Sequence, residues 1–197
     1  MDKVTIDTYN RTAEAYDAET AGFWELFPHT IIDTFAEMVR GRVLDVGSGP
    51  GRDGLILKEK GCEVTCLDAS EAMVALSASH GLESIVGDFC KLPFQDATFG
   101  GVWAYTALLH VPKSEVETAF SEIARVLTTG GVFGLGLIEG DNEKYRESSD
   151  ISLPRWFSYY QRDEVEKLLK THGFSPVYFE QFKPASKNYL NFISKKN

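Results

Sequence analysis

Short apolar runs alternate with amphipathic helical stretches from residue 41 onward, and this alternation restricts the folds open to the chain. The run "RVLDV" at 42–46 has the length and composition of a buried parallel strand, and a glycine-rich turn follows it. Further strands are predicted at 62–68, 83–88, 98–105 and 131–138. Strands that alternate with helices form parallel sheets, so we expect an α/β fold.

The end of the chain has a different pattern. A helix is predicted at 163–174, and two runs of alternating residues follow at 175–182 and 187–194. Two such runs with a short connection predict an antiparallel hairpin. The complete expectation is a Rossmann-like, doubly wound, seven-stranded and mostly parallel sheet with this C-terminal hairpin and with helices on both faces.

Two helices have clear start signals. Ser70 is predicted to cap the helix "EAMVALSAS". Ser114 and Glu117 have the spacing of a capping box, and apolar residues then recur at helical spacing up to Gly130 and Gly131. We therefore expect a helix that starts at Ser114 and ends before this glycine pair.

The length predicts a single domain, because 197 residues with 43% apolar content can bury one core. We divide it into a helical segment at 1–40, a sheet-forming core at 41–138, a long connection at 139–160, and a C-terminal helix and hairpin at 161–197.

Charge and cysteine content narrow the class of protein. The chain has 29 acidic and 20 basic residues and a net charge of -9, so nucleic acid is a poor partner. The N-terminus lacks the apolar region of a signal peptide, and no stretch reaches the roughly 18 apolar residues of a membrane span. Three cysteines match no zinc or redox pattern, so we expect no metal and a cytoplasmic location.

The glycine-rich turn lies in "VLDVGSGPGRDG" at 43–54. Gly49, Gly51 and Gly54 satisfy the G-x-G-x-x-G pattern of dinucleotide-binding folds, and Asp68 lies near the position of their ribose-binding acid. By itself this match leaves the ligand open.

Two carboxylates argue against a pyrophosphate at this turn, since Asp45 comes just before the glycines and Asp53 just after the second of them. Unit charges 4 Å apart repel by about 4 kcal/mol in a surface-like medium, before screening. A ligand with an amino group, a positive sulfur and a ribose would instead be attracted by these carboxylates. Asp45 would attract its cationic end, Asp68 its ribose hydroxyls and Asp88 an adenine amino group. Asp68 and Asp88 can also merely cap turns.

These residues resemble the class I S-adenosylmethionine (SAM)-dependent methyltransferases, in particular the small single-domain group of ubiquinone and menaquinone biosynthesis. "VLDVGSGPGR" is similar to the glycine motif of this family, "VTCLDAS" to its ribose loop, and "VGDFCKLPFQDATFGGVWAYTALLHV" to its adenine loop and fourth strand. "FSEIARVLTTGGVFGLGL" and "YYQRDEVEKLLKTHGF" are similar to later elements, so the resemblance covers nearly the whole chain.

The resemblance implies SAM as cofactor and S-adenosylhomocysteine (SAH) as product. Gly47 and Gly49 would let the methionine part approach the backbone. Asp68 would hold the ribose, and Asp88 with Phe89 would border the adenine. The candidate cofactor-binding residues are Asp45, Gly47, Ser48, Gly49, Arg52, Asp68, Ala69, Met73, Gly87, Asp88, Phe89 and Ala104.

Methyl transfer from a sulfonium is an in-line displacement, in which alignment of the acceptor supplies much of the acceleration. The candidate general base is His110, just beyond the fourth strand. His110 can equally fix the turn before the next helix through a backbone hydrogen bond.

Aromatic residues are the main candidates for the acceptor site. The resemblance implies that the 1–40 segment covers the site as a lid. Tyr9 and Tyr16 share one helical face there, although both can also only dock the helix. The 139–160 connection would be an acceptor-side loop, or its aromatics can be core beneath it. The candidate substrate-binding residues are Tyr9, Tyr16, Tyr105, Arg155, Trp156, Tyr159 and Tyr160.

The favoured function is methyl transfer from SAM to a small molecule. An NAD(P)-dependent oxidoreductase and a non-catalytic SAM-binding protein are the alternatives. Methylation of tRNA would require a basic surface that the sequence does not indicate. The acceptor and the oligomeric state are left open.

Overall fold

The computed structural model describes residues 2–147, 151–184 and 186–197. The described residues form nine strands: β1 (Val43–Val46), β2 (Val64–Asp68), β3 (Glu83–Val86), β4 (Phe99–Tyr105), β5 (Leu127–Ile138), β6 (Glu143–Arg146), β7 (Arg155–Ser158), β8 (Phe174–Phe182) and β9 (Tyr189–Lys196). They also form six α-helices: α1 (Lys3–Thr20), α2 (Thr30–Met38), α3 (Arg52–Glu59), α4 (Glu71–Ser79), α5 (Val116–Val126) and α6 (Arg162–Thr171).

Seven strands form one sheet in the order β3-β2-β1-β4-β5-β9-β8. The five strands from β3 to β5 pair in parallel, whereas β9 runs antiparallel to both of its neighbours, β5 and β8. The predicted mostly parallel sheet with a C-terminal antiparallel hairpin is therefore confirmed. The chain reverses its direction across the sheet between β1 and β4, and a crevice forms at such a switch point.

Helices cover both faces of the sheet, as predicted. Adjacent residues of β5 show this, since side chains alternate between the faces of a strand. Phe133 packs edge-to-face against Phe120 of α5, with ring centroids 5.7 Å apart. A Cβ on the next residue, Gly134, would lie 3.0 Å from Phe35 of α2. The apolar core consequently has two layers, one under each set of helices.

The predicted start of α5 is wrong. Glu115 precedes the first helical residue and no side chain caps this end, so Ser114 and Glu117 form no capping box. Ser114 lies instead inside a turn, in which the Glu115 amide donates to Pro112 O at 2.8 Å. The helix also ends earlier than expected, because Leu127 already pairs with Phe99 in the sheet. By contrast, Ser70 caps α4 as predicted, accepting from the Met73 amide at 3.2 Å.

The long connection at 139–160 contains secondary structure that the sequence analysis did not predict. Strands β6 and β7 pair antiparallel as a two-stranded sheet, in which Glu143 lies opposite Ser158 and Arg146 opposite Arg155. Alternation is hard to recognise in four-residue strands of mixed charge, and residues 148–150 lie outside the described part.

Helix α1 lies across the end of the sheet and contacts elements on both sides of it. The Thr8 hydroxyl donates to Pro154 O at 2.7 Å, next to β7. On the other side, Asn10 Oδ1 accepts from the Ser70 hydroxyl at 2.7 Å, at the start of α4. The helix is kinked at Thr12, whose hydroxyl donates to Thr8 O at 2.8 Å. Such back-bonding to the carbonyl four residues earlier bends helices.

Candidate active site

A cavity lies at the carboxyl ends of β1, β2 and β4, beneath α1. The empty space between its walls, open mouth and solvent included, is about 620 Å³. The lining combines three acids with aromatic rings and backbone. The lining residues are Tyr9, Tyr16, Thr20, Asp45, Gly47, Ser48, Gly49, Pro50, Arg52, Asp53, Asp68, Met73, Phe89, Tyr105, Thr106, Ala107 and His110.

The glycine turn after β1 forms the floor of this cavity. Gly47 adopts φ +68°, and a Cβ there would lie 2.5 Å from the Ala107 side chain and 3.3 Å from the Phe89 ring. The Gly47 and Ser48 amides both donate to Leu67 O in β2, at 2.7 and 3.1 Å. Only a residue without a side chain fits this position, so the turn holds its backbone open toward the cavity.

Asp68, at the end of β2, is held by backbone amides. Its Oδ2 accepts from the Gly49 amide at 2.9 Å, and its Oδ1 accepts from the Ser70 amide at 2.8 Å. Burial raises the pKa of Asp68, and these hydrogen bonds oppose that shift. Each carboxylate oxygen retains a lone-pair direction, so both can accept from a ligand.

Asp45 and Asp53 occupy the same end of the cavity but differ in their partners. Asp53 accepts from the indoles of Trp24 and Trp103, at 2.8 and 2.9 Å, and from Arg52 Nε at 2.7 Å. Asp45 Oδ2 is buried without a hydrogen-bond donor among the described residues. Burial, then the charge of Asp53, raises the pKa of Asp45 well above its usual range. A cationic donor at Asp45 would offset the free energy that is needed to keep this buried carboxylate ionised.

His110 joins three segments of the chain. Its Nδ1 donates to Trp156 O at 2.6 Å, since a carbonyl can only accept, and this leaves Nε2 as an acceptor. The Tyr9 hydroxyl, 2.8 Å from Nε2, is therefore the donor in that bond. Burial lowers the pKa of His110 to about 4 and raises that of Tyr9, so the imidazole is neutral and the phenol protonated at neutral pH.

Tyr16 covers the glycine turn from α1. The position of a Cβ on Gly49 would lie 3.8 Å from the Tyr16 ring, and the Tyr9 and Tyr16 rings meet edge-to-face at 5.2 Å. Arg52 lies beside them, with its guanidinium carbon 4.0 Å from the centre of the Phe23 ring. Helix α1 and the segment after it therefore form the roof of the cavity.

The structure brings most of the predicted site residues together at the cavity, but not all of them. Asp88 Oδ1 accepts from the Cys90 amide at 2.9 Å in a turn, and Ala104 is buried inside β4. Arg155 and Tyr159 lie behind Tyr9 and His110, close to Phe157. The predicted residues outside the lining are Ala69, Gly87, Asp88, Ala104, Arg155, Trp156, Tyr159 and Tyr160.

Sequence reasoning missed five lining residues as site residues: Thr20, Pro50, Asp53, Thr106 and Ala107. Thr106 has φ +55°, a conformation that is strained for a β-branched residue. Its amide donates to Gly136 O at 2.9 Å, and this bond keeps the end of β4 in register with β5. No glycine or asparagine marks this turn, so the sequence carries no signal for it.

Two classes of feature are absent from the described residues. No cluster of three or more histidine, cysteine, aspartate or glutamate side chains could hold a metal ion there. Nor does any helix within the described ranges have the length and apolar character to cross a bilayer.

Comparison with known proteins finds a methyltransferase domain within the chain. Residues 44–135 match the family model described as a methyltransferase domain. A sterol 24-C-methyltransferase of Gibberella zeae is 40% identical over 158 residues, covering 71% of this chain and 40% of that protein. The structure of a DhpI–SAH complex matches with a TM-score of 0.78 at 22% identity, covering 99% of this chain and 96% of that one.

A second solved structure is that of the Burkholderia thailandensis 1,6-didemethyltoxoflavin-N1-methyltransferase, with bound 1,6-didemethyltoxoflavin and SAH. It matches with a TM-score of 0.70 at 20% identity, covering 98% of this chain and 88% of that chain. The present chain spans only 40% of the length of the sterol methyltransferase, so that likeness concerns the shared domain. By the match to the family model, residues 44–135 contain a methyltransferase domain, and the chain has the fold of the two solved structures.

Proposed function

We propose that this protein transfers a methyl group from SAM to a small-molecule acceptor. The observation that carries the proposal is the pair of buried acids, Asp45 and Asp68, at the ends of two adjacent strands of the fold. Asp45 has an unused acceptor oxygen, and Asp68 is ordered by amides with acceptor capacity remaining. These features suit a ligand with a cationic amino group and a ribose.

When bound, SAM supplies an electrophilic methyl group on a positively charged sulfur. The chain would hold it through Asp45 at the amino group, Asp68 at the ribose hydroxyls and the open backbone at Gly47. Met73 and Phe89 supply apolar surface next to these groups. The remaining predicted cofactor residues outside the lining, such as Asp88, would act by shaping the adenine side.

The buried acids also argue against a pyrophosphate. Asp45 and Asp53 lie in one cavity, and the repulsion between them already raises the pKa of Asp45. Two phosphate charges would add to that repulsion. This supports the methyl donor over an NAD(P) cofactor.

His110 is our proposed proton acceptor for an acceptor that reacts through a hydroxyl or a protonated amine. Its neutral Nε2 already accepts from Tyr9, which also lines the cavity. An acceptor proton would reach Nε2 by replacing the Tyr9 donor or by passing through the Tyr9 hydroxyl. Helix α1 would act as a lid, since Tyr9 and Tyr16 roof the cavity from it.

A small-molecule acceptor is supported by the cavity beneath α1 and by the net charge of -9, which opposes binding to nucleic acid. All three cysteines are unpaired, which supports a reducing compartment and hence the cytoplasm.

Thermal unfolding with SAH, and separately with a nicotinamide dinucleotide, tests the cofactor. Ligand at about 100 times its dissociation constant should stabilise the fold by about 2.7 kcal/mol and raise the melting temperature. We expect SAH to stabilise the protein and the dinucleotide to have no effect. A response to the dinucleotide alone would reject the proposal. Release of SAH from SAM with a metabolite library then tests turnover and distinguishes an enzyme from a binding protein.

A further inference from the structure

A second cavity lies between the end of α1 and the side of α3. The space for a ligand in it amounts to about 420 Å³, which is within the range of small-molecule sites. It shares Thr20 and Arg52 with the first cavity, and its other lining residues belong to it alone. The proposed binding of the methyl donor therefore leaves most of this second cavity unused.

Most of the surface of the second cavity is apolar. Leu55 and Ile56 of α3 are half-buried side chains of its wall. The Trp24 ring lies beside the His29 ring, with ring centroids 5.6 Å apart, and its indole nitrogen donates to Asp53 at 2.8 Å. This hydrogen bond holds Trp24 in place, so the wall is ready to pack against the apolar part of a ligand.

Two carboxylates also line the second cavity. The Glu25 carboxylate makes no hydrogen bond or ion pair with the residues that the structure describes. Asp17 Oδ2 lies 3.7 Å from His80 Nε2. His80 Nδ1 donates to Pro50 O at 2.9 Å, because a carbonyl can only accept, so the neutral ring offers Asp17 a lone pair and no proton. Both carboxylates can therefore accept from a ligand.

The C-terminal ends of two helices add negative potential at the same place. Helix α1 ends at Thr20, and α4 reaches the cavity through His80, its C-cap. The last turn of neither helix contains a basic residue, and that of α1 contains Asp17. A helix C-terminus carries a partial negative charge, so an acid there is unfavourable and a cation is favourable. A bound cation would offset this unfavourable arrangement.

Arg52 is the only lysine or arginine among the lining residues that the structure describes, and its charge is already balanced. Its Nε donates to Asp53 Oδ1 at 2.7 Å, and its guanidinium carbon lies 4.0 Å from the centre of the Phe23 ring. The two carboxylates and two helix ends consequently face the cavity without a matching cation from the lining.

We propose that the second cavity binds a small organic amine. Its ammonium group would lie at Asp17 and Glu25, and its apolar part would pack against Trp24, Leu55 and Ile56. An ammonium group suits the charged side because it combines one positive charge with three donors. The ligand would lie next to the proposed methyl-donor site without filling it, since only Thr20 and Arg52 line both cavities.

Calorimetry on the full chain tests this recognition with probes of similar shape and different charge. The probes are phenethylamine, the neutral 2-phenylethanol and the anion 3-phenylpropionate. We expect the amine to bind about tenfold more tightly than the alcohol, and the anion not to bind. The double variant Asp17→Asn/Glu25→Gln should bind the amine about tenfold more weakly. Glu14→Gln is the matched control, because it removes an exposed acid of α1 that lies outside the cavity lining.

The inference is overturned if phenethylamine does not bind, or if it binds no more tightly than 2-phenylethanol. It is also overturned if the double variant binds the amine as tightly as Glu14→Gln does. The test does not depend on the methyl donor, so a failure of SAH to bind would reject the proposed function and leave this inference standing.

A measurement on the wild-type protein covers the case in which the double variant does not fold. Amide chemical shifts recorded during a titration with phenethylamine report where the amine binds. We expect the largest changes at Trp24, Leu55 and Ile56. Changes at Gly49 and Asp68 instead would place the amine in the first cavity and contradict the inference.

Discussion

The Tyr9 hydroxyl donates a 2.8 Å hydrogen bond to His110 Nε2, and so links helix α1 to the turn that follows β4. The other ring nitrogen donates to Trp156 O in β7. One neutral imidazole thus connects the roof of the cavity, the end of a central strand and the two-stranded sheet. His110 therefore couples the position of α1 to that of β7.

The pH dependence of stability should report the burial of His110. The folded protein keeps this imidazole neutral down to a pKa of about 4, whereas the unfolded chain takes up the proton near pH 6.5. Stability conferred by the neutral ring is therefore lost as the pH falls from 7 to 4. Relative to His110→Gln, the wild type should lose up to about 3 kcal/mol of unfolding free energy over this range, measured by urea denaturation. Parallel pH profiles would contradict the burial of His110.

Replacement of Asp68 should weaken SAH binding. Asp68→Ala removes the acceptor for the ribose hydroxyls and the partner of the Gly49 and Ser70 amides, so we expect a loss of about 1.5 to 3 kcal/mol by calorimetry. Asp96→Ala is the control, because Asp96 is 78% exposed and pairs with Arg125. Unchanged affinity in Asp68→Ala would mean that the ribose binds elsewhere.

The carboxylate of Asp53 should contribute strongly to stability. Two buried indole donors and Arg52 converge on it, and the amide in Asp53→Asn would place an N–H against one of these donors. We expect a loss of about 2 to 4 kcal/mol in urea denaturation. The exposed Asp7→Asn, which weakens only a surface pair with Arg11, should cost at most about 1 kcal/mol. Similar losses of unfolding free energy in the two variants would show that the Asp53 carboxylate contributes no more to stability than an exposed one.

Two glycines with positive φ allow backbone strain to be separated from close packing. Gly41 has φ +91° with nothing within 4 Å of a Cβ, whereas a Cβ on Gly47 would lie 2.5 Å from Ala107. Gly41→Ala should cost about 1 kcal/mol from strain alone. Gly47→Ala should cost at least about 1 kcal/mol more and also reduce SAH binding. Equal denaturation midpoints for the two variants would show that the turn is more loosely packed than the structure indicates.

Much of the fold could be predicted because its signals are local. The apolar run before the glycines predicts β1, and Ser70 predicts the start of α4. The start of α5 could not be predicted in this way, since the Ser114–Glu117 spacing matches a cap while the Pro112 turn places Ser114 outside the helix. Pairing in the sheet likewise decides where β5 begins.

The candidate site likewise contains residues that the sequence could predict and residues that it could not. Asp45 and Asp68 could be placed at the cavity because the carboxyl ends of neighbouring parallel strands meet at one edge. Thr106 could not, because its positive φ is imposed by register with β5 on a residue type that avoids it.

The sequence alone determined the order along the chain of the strands in the seven-stranded sheet, the glycine turn and the acids at the strand ends, because periodicity and turn chemistry act between near neighbours in the chain. Only the tertiary structure decided that Tyr9 donates to His110, that Asp53 holds Trp24 and Trp103, and that Arg146 faces Arg155. Those contacts join residues far apart in the chain or set the register of a short strand pair. They depend on how the packed elements meet, which no local pattern encodes.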